Sequence, residues 1–165
     1  MNNCRTFVFM NFKTFSLSEL KQKAEIFCVY QERSHKEVIK KLRDLGAKSE
    51  EIDLVIVHLI EDNFLNEERF ARNFAIGKHS IKKYGKMRIT QELKLKNVSE
   101  YNIKKALEEI SEDQYKSTFN ELCEKKWSSI EEKDILKKKK RFFKHLFYKG
   151  YETELIHEYL QNITK

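Results

Sequence analysis

Leu42, Leu93 and Leu146 each stand four residues before a residue suited to ending a helix: Gly46, Asn97 and Gly150. These three anchors are 51 and 53 residues apart. Six positions after each comes isoleucine (Ile52, Ile103, Ile156), and ten after come Ile56, Leu107 and Leu160. Thirteen after come Leu59, Ile110 and Ile163. Glycine and asparagine tolerate the left-handed conformation that closes many helices. Matched apolar positions on both sides of a repeated helix stop define a tandem helical unit, and such units stack on their neighbours.

The rest of the chain agrees. It has no proline and only four glycines, Gly46, Gly77, Gly85 and Gly150. Proline would break helices, and a strand-rich fold would need more turn residues of both kinds. The chain is therefore read as all-α. Capping patterns supply helix starts at Ser16-x-x-Glu19, Ser34-x-x-Glu37, Ser111-x-x-Gln114 and Ser129-x-x-Glu132. Asn66 before Glu67-Glu68, Ser49 before Glu50-Glu51, and Ser99 before Glu100 do likewise. Nine helices follow, in three sets: 16–32, 34–45 and 49–62; 66–82, 85–96 and 99–111; 112–127, 130–149 and 152–163. The expected division is an N-terminal extension over 1–15, a first repeat over 16–63, a basic second repeat over 64–113 and a third over 114–165. Hydrophobic residues make up 40% and charged residues 36%. That balance suits an elongated, curved array better than a sphere. Twelve Phe, seven Tyr and one Trp supply core material and argue against disorder.

Phe70, Phe74, Gly77 and Ile81 mark the expected inward stripe of the fourth helix, with Lys78 and Lys82 off it. Gly77 is read as a close-packing position beside Phe74, and Phe64-Leu65 as a hydrophobic staple onto the helix that follows. Trp127 is expected to pack between helices rather than to stack a base. Cys4, Cys28 and Cys123 are odd in number and far apart, which suits reduced thiols in a cytoplasmic protein. No segment is apolar enough to span a membrane, and residues 1–15 lack the h-region of a secretion signal. A monomer is expected. Met10 is an alternative start, which mass spectrometry of the native N-terminus would distinguish from Met1.

Positive charge is concentrated. Eleven Lys/Arg and two Glu lie between Arg69 and Lys105, a local charge of +9 in a chain whose total is +7. Ordered helices with such a concentration suit a polyanionic partner. The run Lys137, Lys138, Lys139, Lys140 and Arg141, with Lys144 and Lys149, is a second basic patch. It fits phosphate binding and the wet face of a helix equally well. Catalytic signatures are not found. His35, His58, His79, His145 and His157 are scattered without metal-ligand spacing, and no phosphate-binding glycine loop occurs. Glu67-Glu68, Glu108-Glu109 and Glu131-Glu132 are adjacent pairs, poorly placed on a helix to share a site. No catalytic residue, metal or cofactor is expected.

The block Phe64-Leu65-Asn66-Glu67-Glu68-Arg69-Phe70-Ala71, followed by Gly85-x-x-Arg88-Ile89-x-x-Glu92-Leu93-x-x-Lys96-Asn97-Val98, resembles the RecX family of bacterial recombination regulators. Arg33-Ser34-x-Lys36-Glu37-Val38-x-x-Lys41-Leu42-x-x-Leu45-Gly46 resembles the family's first helical hairpin. The likeness covers residues 24–163 and is strongest in the middle repeat. Asn97 stands where the family usually has Gly. The resemblance implies a non-enzymatic regulator that binds the RecA recombinase filament on single-stranded DNA and suppresses its ATPase, strand-exchange and coprotease activities. Contact with double-stranded DNA is a further expectation.

The residues expected to engage RecA or its DNA are Arg69, Arg72, Lys78, Lys82, Lys83, Lys86, Arg88 and Lys94. The secondary patch comprises Lys137, Lys138, Lys140, Arg141 and Lys144. The rival readings are a general nucleic-acid-binding protein without a recombinase partner, and an adaptor whose basic stripe serves only solubility.

Overall fold

The computed structural model describes residues 15–163. Those residues form nine helices and no strand. In chain order they are α1 (Leu17–Tyr30), α2 (His35–Asp44), α3 (Ser49–Glu61), α4 (Glu67–Lys82), α5 (Lys86–Leu95), α6 (Glu100–Glu108), α7 (Glu112–Ser129), α8 (Ile135–Lys149) and α9 (Thr153–Asn162). They group as three three-helix repeats. The expectations for Cys4, Met10 and the N-terminal extension up to residue 14 lie outside the described residues.

The three anchors end their helices in the same way. Gly46, Asn97 and Gly150 have φ of 82°, 60° and 87°. In each case the anchor N–H bonds back three residues, Gly46 to Arg43, Asn97 to Lys94 and Gly150 to Phe147. The next N–H bonds back five, Ala47 to Leu42, Val98 to Leu93 and Tyr151 to Leu146. This double bond is a Schellman motif, which satisfies carbonyls the helix leaves open. The leucine that accepts it is fully buried at all three sites. One residue thus closes the helix and nails its end to the core.

Starts are set by side chains. Ser16 and Ser34 form complete capping boxes with Glu19 and Glu37. Asn66, Ser99 and Ser111 accept from the backbone N–H of Arg69, Asn102 and Gln114. Two expected caps differ. Ser49 is the first residue of α3, and the Lys48 N–H before it donates to Glu51 at 2.7 Å. The Ser129-x-x-Glu132 box does not form: α7 runs through Ser129, Ile130 turns into the core, and Asp134 caps α8 five residues later than expected.

The chain divides into two compact units at Leu65 and Asn66. The first has its own core, with Leu20, Ala24, Val38, Leu42, Val55 and Leu59 at its centre. Phe64 and Leu65, expected as a staple onto α4, belong to this core. The second unit packs α4 to α9 around one continuous core running from Phe70 to Leu160. Cys28 and Cys123 are buried free thiols in α1 and α7, and burial pushes the Cys123 thiol up to about 12. Trp127 packs edge-on against Phe142, 5.4 Å between ring centroids, as expected.

The buried stripe of α4 is Phe70, Ala71, Ala75 and His79. Phe74 lies at its edge, whereas Ile81, expected inside, is 76% exposed. The expected positions stay on one side of the helix, but the buried face moves round from Phe70 through Ala71 and Ala75 to His79 and leaves Ile81 outside. Gly77 is likewise corrected. A Cβ built there meets nothing within 4 Å, so no close packing explains it.

Gly85 and Gly150 are the true close contact. A Cβ on Gly85 would lie 2.2 Å from the Gly150 carbonyl oxygen, and one on Gly150 would lie 2.4 Å from the Arg88 nitrogen. Through this gap the Lys149 carbonyl accepts the Gly85 N–H at 2.8 Å, and the Gly150 carbonyl accepts the Met87 N–H at 3.1 Å. The C-terminus of α8 therefore caps the N-terminus of α5, joining opposite dipole ends.

These glycines predict opposite outcomes. Gly77→Ala raises stability by about 1 kcal/mol, because alanine is the better helix former and space is open. Gly85→Ala lowers it by about 2 kcal/mol, because backbone atoms must move apart. Urea denaturation of the two variants beside the parent checks both signs.

Candidate functional site

Asn66 starts α4 and orients Glu67, whose Oε1 accepts the Ser99 N–H (3.0 Å), the Ser99 hydroxyl (2.7 Å) and the Asn102 amide (2.7 Å). This carboxylate ties the start of α4 to the start of α6. Glu68 pairs with Arg72 at 2.8 Å, and Arg72 also reaches Glu109 at 3.4 Å. Glu67 thus joins two helices, whereas Glu68 pairs along its own helix, and the two do not share a site.

Most of the expected cationic face is similarly engaged. Lys78 pairs with Glu92 at 2.8 Å and lies over the Phe74 and Tyr84 rings. Lys86 pairs with Glu112 at 2.5 Å above the Tyr115 ring. Lys94 pairs with Glu100 at 3.0 Å. Arg88 donates to Glu92 at 3.3 Å and to the Tyr148 carbonyl at 2.8 Å, with its guanidinium 4.0 Å from the Tyr84 ring centroid. Arg69 is half-buried on the first turn of α4. Lys82 is exposed and has no ion pair among the described residues. Lys83 closes α4 in left-handed backbone, φ 54°, and lies near enough to Glu121 to help lower that carboxyl.

Glu92 is the hub of this arrangement. Burial pushes its carboxyl up, but the hydrogen bonds and charges of Lys78 and Arg88 outweigh that and hold it below the ordinary carboxylate range. The Arg88–Glu92 spacing of four was legible in the sequence. The α4 partner Lys78 was not, because it depends on how α4 lies against α5.

A knot of like charge forms where α4 and α8 end. Lys149 Nζ donates to the Lys82 carbonyl at 2.8 Å and lies 5.4 Å from the Tyr84 ring centroid. Burial, then Arg88 and Lys82, hold its ammonium below the ordinary lysine range. His145, one turn back, is lowered by burial and by Lys126 and Lys149. Glu92 is the one acid tied into this knot by the described ion pairs.

The second patch lies on α8, which contains no acid. Lys138 covers Trp127 at 4.7 Å, and Arg141 reaches Glu132 at 3.5 Å. Lys137 is 3.9 Å from Asp134, Lys140 is exposed, and Lys144 lies 5.8 Å from the Tyr148 ring centroid. The patch and the knot share α8: Lys137 to Arg141 lie in its N-terminal half and Lys149 ends it, with Lys144 between them. His79 is buried in α4, donates from Nδ1 to the Tyr84 carbonyl at 2.9 Å and stacks on Tyr115. His58 lies between Glu25 at 2.6 Å and Asp62 at 3.1 Å. No described group of His, Cys, Asp and Glu could hold a metal ion, and no described helix is long and apolar enough to cross a membrane.

Comparison with known proteins places this architecture. Residues 66–107 match the second three-helix domain of RecX, and residues 112–160 match the third. A regulatory protein RecX from Vibrio campbellii is 32% identical over 120 residues, covering 73% of this chain and 76% of that protein. The chain belongs to the RecX family. Regulatory protein RecX from Pseudomonas savastanoi is 29% identical over 126 residues, 76% of this chain and 79% of the relative. That from Clostridium perfringens strain 13 is 28% identical over 134 residues, 80% of this chain but only 62% of the relative. The crystal structure of RecX from Lactobacillus salivarius superposes with a TM-score of 0.77 at 22% identity, covering 90% of this chain and 96% of that one. That likeness is one of fold. The family resemblance read from Phe64 to Val98 and the all-α fold of three-helix repeats are both upheld.

Two substitutions test the hub. Arg88→Ala loses a carboxylate bond and a carbonyl bond and lowers stability by about 2 kcal/mol, read from the urea midpoint. Glu92→Gln tests the pH dependence. A carboxylate depressed in the folded state stabilises above its unfolded pKa, about 4.3, and loses that contribution as pH falls through the folded value. The stability gap between parent and Glu92→Gln is therefore steady above about pH 5 and narrows below about pH 4. Denaturation series at several pH values give both points.

Proposed function

We propose that the chain is a non-enzymatic regulator of the RecA recombinase. It binds the RecA filament on single-stranded DNA and inhibits ATPase, strand exchange and coprotease activity. Membership of a family whose relatives are named regulatory proteins supports this reading. The observation that carries it to a surface is the charge knot of Lys82, Arg88 and Lys149, where cations crowd and one carboxylate, Glu92, serves Arg88 and the neighbouring Lys78.

The geometry divides the expected interface residues by role. Arg72, Lys78, Lys86, Arg88 and Lys94 carry ion pairs that join helices or turns. They shape the surface. Lys82, exposed, and Lys83, half-buried, at the end of α4 are available to a partner's acids or phosphates, and Lys140 and Lys144 of α8 are exposed as well. Either an acidic protein surface or a phosphate backbone satisfies this chemistry, and a nucleoprotein filament presents both.

The test is the single-stranded-DNA-dependent ATPase of the cognate RecA, titrated with this chain while DNA is in large excess. The reading predicts inhibition at protein levels well below those of RecA, since competition for DNA cannot act when DNA is plentiful. The double variant Lys82→Ala/Lys83→Ala, with helicity unchanged, weakens that inhibition by about tenfold, the factor that corresponds to two surface charge contacts of ordinary strength. No inhibition by the parent, with binding to naked DNA intact, transfers the chain to the general nucleic-acid-binding class.

A further inference from the structure

Lys149 is the last residue of α8 and is held at both ends. Its carbonyl accepts the Gly85 N–H at 2.8 Å, and its Nζ donates to the Lys82 carbonyl at 2.8 Å. The Tyr84 ring centroid lies 5.4 Å from that nitrogen. Gly150 follows in left-handed backbone and lies against Arg88. The side chain thus reaches from the end of α8 to the end of α4. It is half-buried, yet its bond to the Lys82 carbonyl lies at an exposed place.

The surroundings of this amine set it apart from other lysines of the unit. Lys78, Lys86, Lys94, Lys105 and Lys125 each face a carboxylate within 3.1 Å. A carboxylate favours the ammonium, which has no lone pair to attack with. Lys149 has no carboxylate partner among the described ion pairs. Its charged neighbours are Arg88 of α5 and Lys82 of α4, with His145 one turn back on its own helix. Glu92, the sole acid of α5, is occupied by Lys78 and Arg88. Burial and the two cations therefore favour the neutral amine and hold its ammonium below the ordinary lysine range. Lys105 goes the other way, because its bond to Glu108 holds it above that range.

The same neighbours select the reagent. Two cations are poor company for an ammonium and good company for a dianion, and a guanidinium matches phosphate oxygens in geometry. A small acyl phosphate carries an electrophilic carbonyl directly on such a dianion.

We propose that Lys149 is a modification site that takes the acyl group of a small acyl phosphate, with the phosphate docked on Arg88 and Lys82. The neutral Nζ attacks the carbonyl carbon. A C–N bond forms, the bond from that carbon to the phosphate oxygen breaks, and the phosphate leaves with the electron pair. One amine proton passes to the departing phosphate, so the products are an amide and hydrogen phosphate. The amide keeps an N–H for the Lys82 carbonyl but has lost the charge. The knot is then one cation poorer. That this weakens RecA inhibition rests on the regulatory reading, whereas the modification itself does not.

The test incubates the full chain with acetyl phosphate, and separately with the neutral ester 4-nitrophenyl acetate, at several pH values. Peptide mass spectrometry gives the acetylation rate at each lysine. No recombinase is present, so the rates are independent of the ATPase assay. The expected result is that acetyl phosphate modifies Lys149 before Lys105 and before the exposed Lys125, and that the Lys149 rate levels off at a lower pH than the Lys105 rate. In Lys82→Gln, checked for unchanged helicity, the ratio of the acetyl phosphate rate to the ester rate at Lys149 falls about threefold, the factor of one surface charge contact. Taking that ratio cancels any change in the nucleophilicity of the amine. Modification of Lys149 no faster than Lys105 and Lys125 would overturn the site. An unchanged ratio in Lys82→Gln would overturn the docking of the phosphate.

Discussion

The second unit depends on two backbones meeting without side chains between them. Gly85 and Gly150 are 65 positions apart, yet either Cβ would stand within 2.5 Å of the other segment's main chain. The contact lets carbonyls at the end of α8 accept N–H groups at the start of α5. Each helix end removes the other's unsatisfied polar groups, and their dipoles oppose favourably. Arg88 and Lys149 strengthen the joint by donating to carbonyls of α8 and α4, which brings the cationic ends of three helices together. The crowding of positive charge is therefore a consequence of how the repeats are joined.

Much of the fold was legible because helix stops are chemically distinctive. Gly46, Asn97 and Gly150 were recognisable by residue type and spacing, and their common backbone geometry follows from the left-handed conformation. Helix starts were less secure. Ser129-x-x-Glu132 has the pattern of a capping box, but the buried side chain of Ile130 holds the chain in an extended link and leaves Asp134 to cap α8. A local motif lost to a core contact that no window of four residues contains. Ile81 failed similarly, since a stripe taken at fixed spacing does not register which turn of α4 has left the core.

The site was half legible. The +9 tally over residues 69–105 picked out a stretch rich in cations, but Glu68, Glu108, Glu109 and Glu112 lie just outside that window. All four pair with cations inside it. Free charge was therefore overstated at Arg72, Lys86 and Lys105. The meeting of α8 with α5 was invisible to a linear reading, because Arg88 and the Tyr148 carbonyl are 60 residues apart. In the second unit the ends of α4 and α8 form one basic neighbourhood through Lys82 and Lys149, while Lys137 to Arg141 lie about two to three turns earlier on α8.

The central claim is that this neighbourhood faces the nucleoprotein partner, and lysine acetylation footprinting by mass spectrometry tests it most directly. The chain is labelled alone and again with a saturating RecA filament on single-stranded DNA. The account predicts slower labelling of Lys82, Lys83, Lys140 and Lys144 in the complex. Labelling of all four at unchanged rates, in a complex shown to be bound, would contradict it.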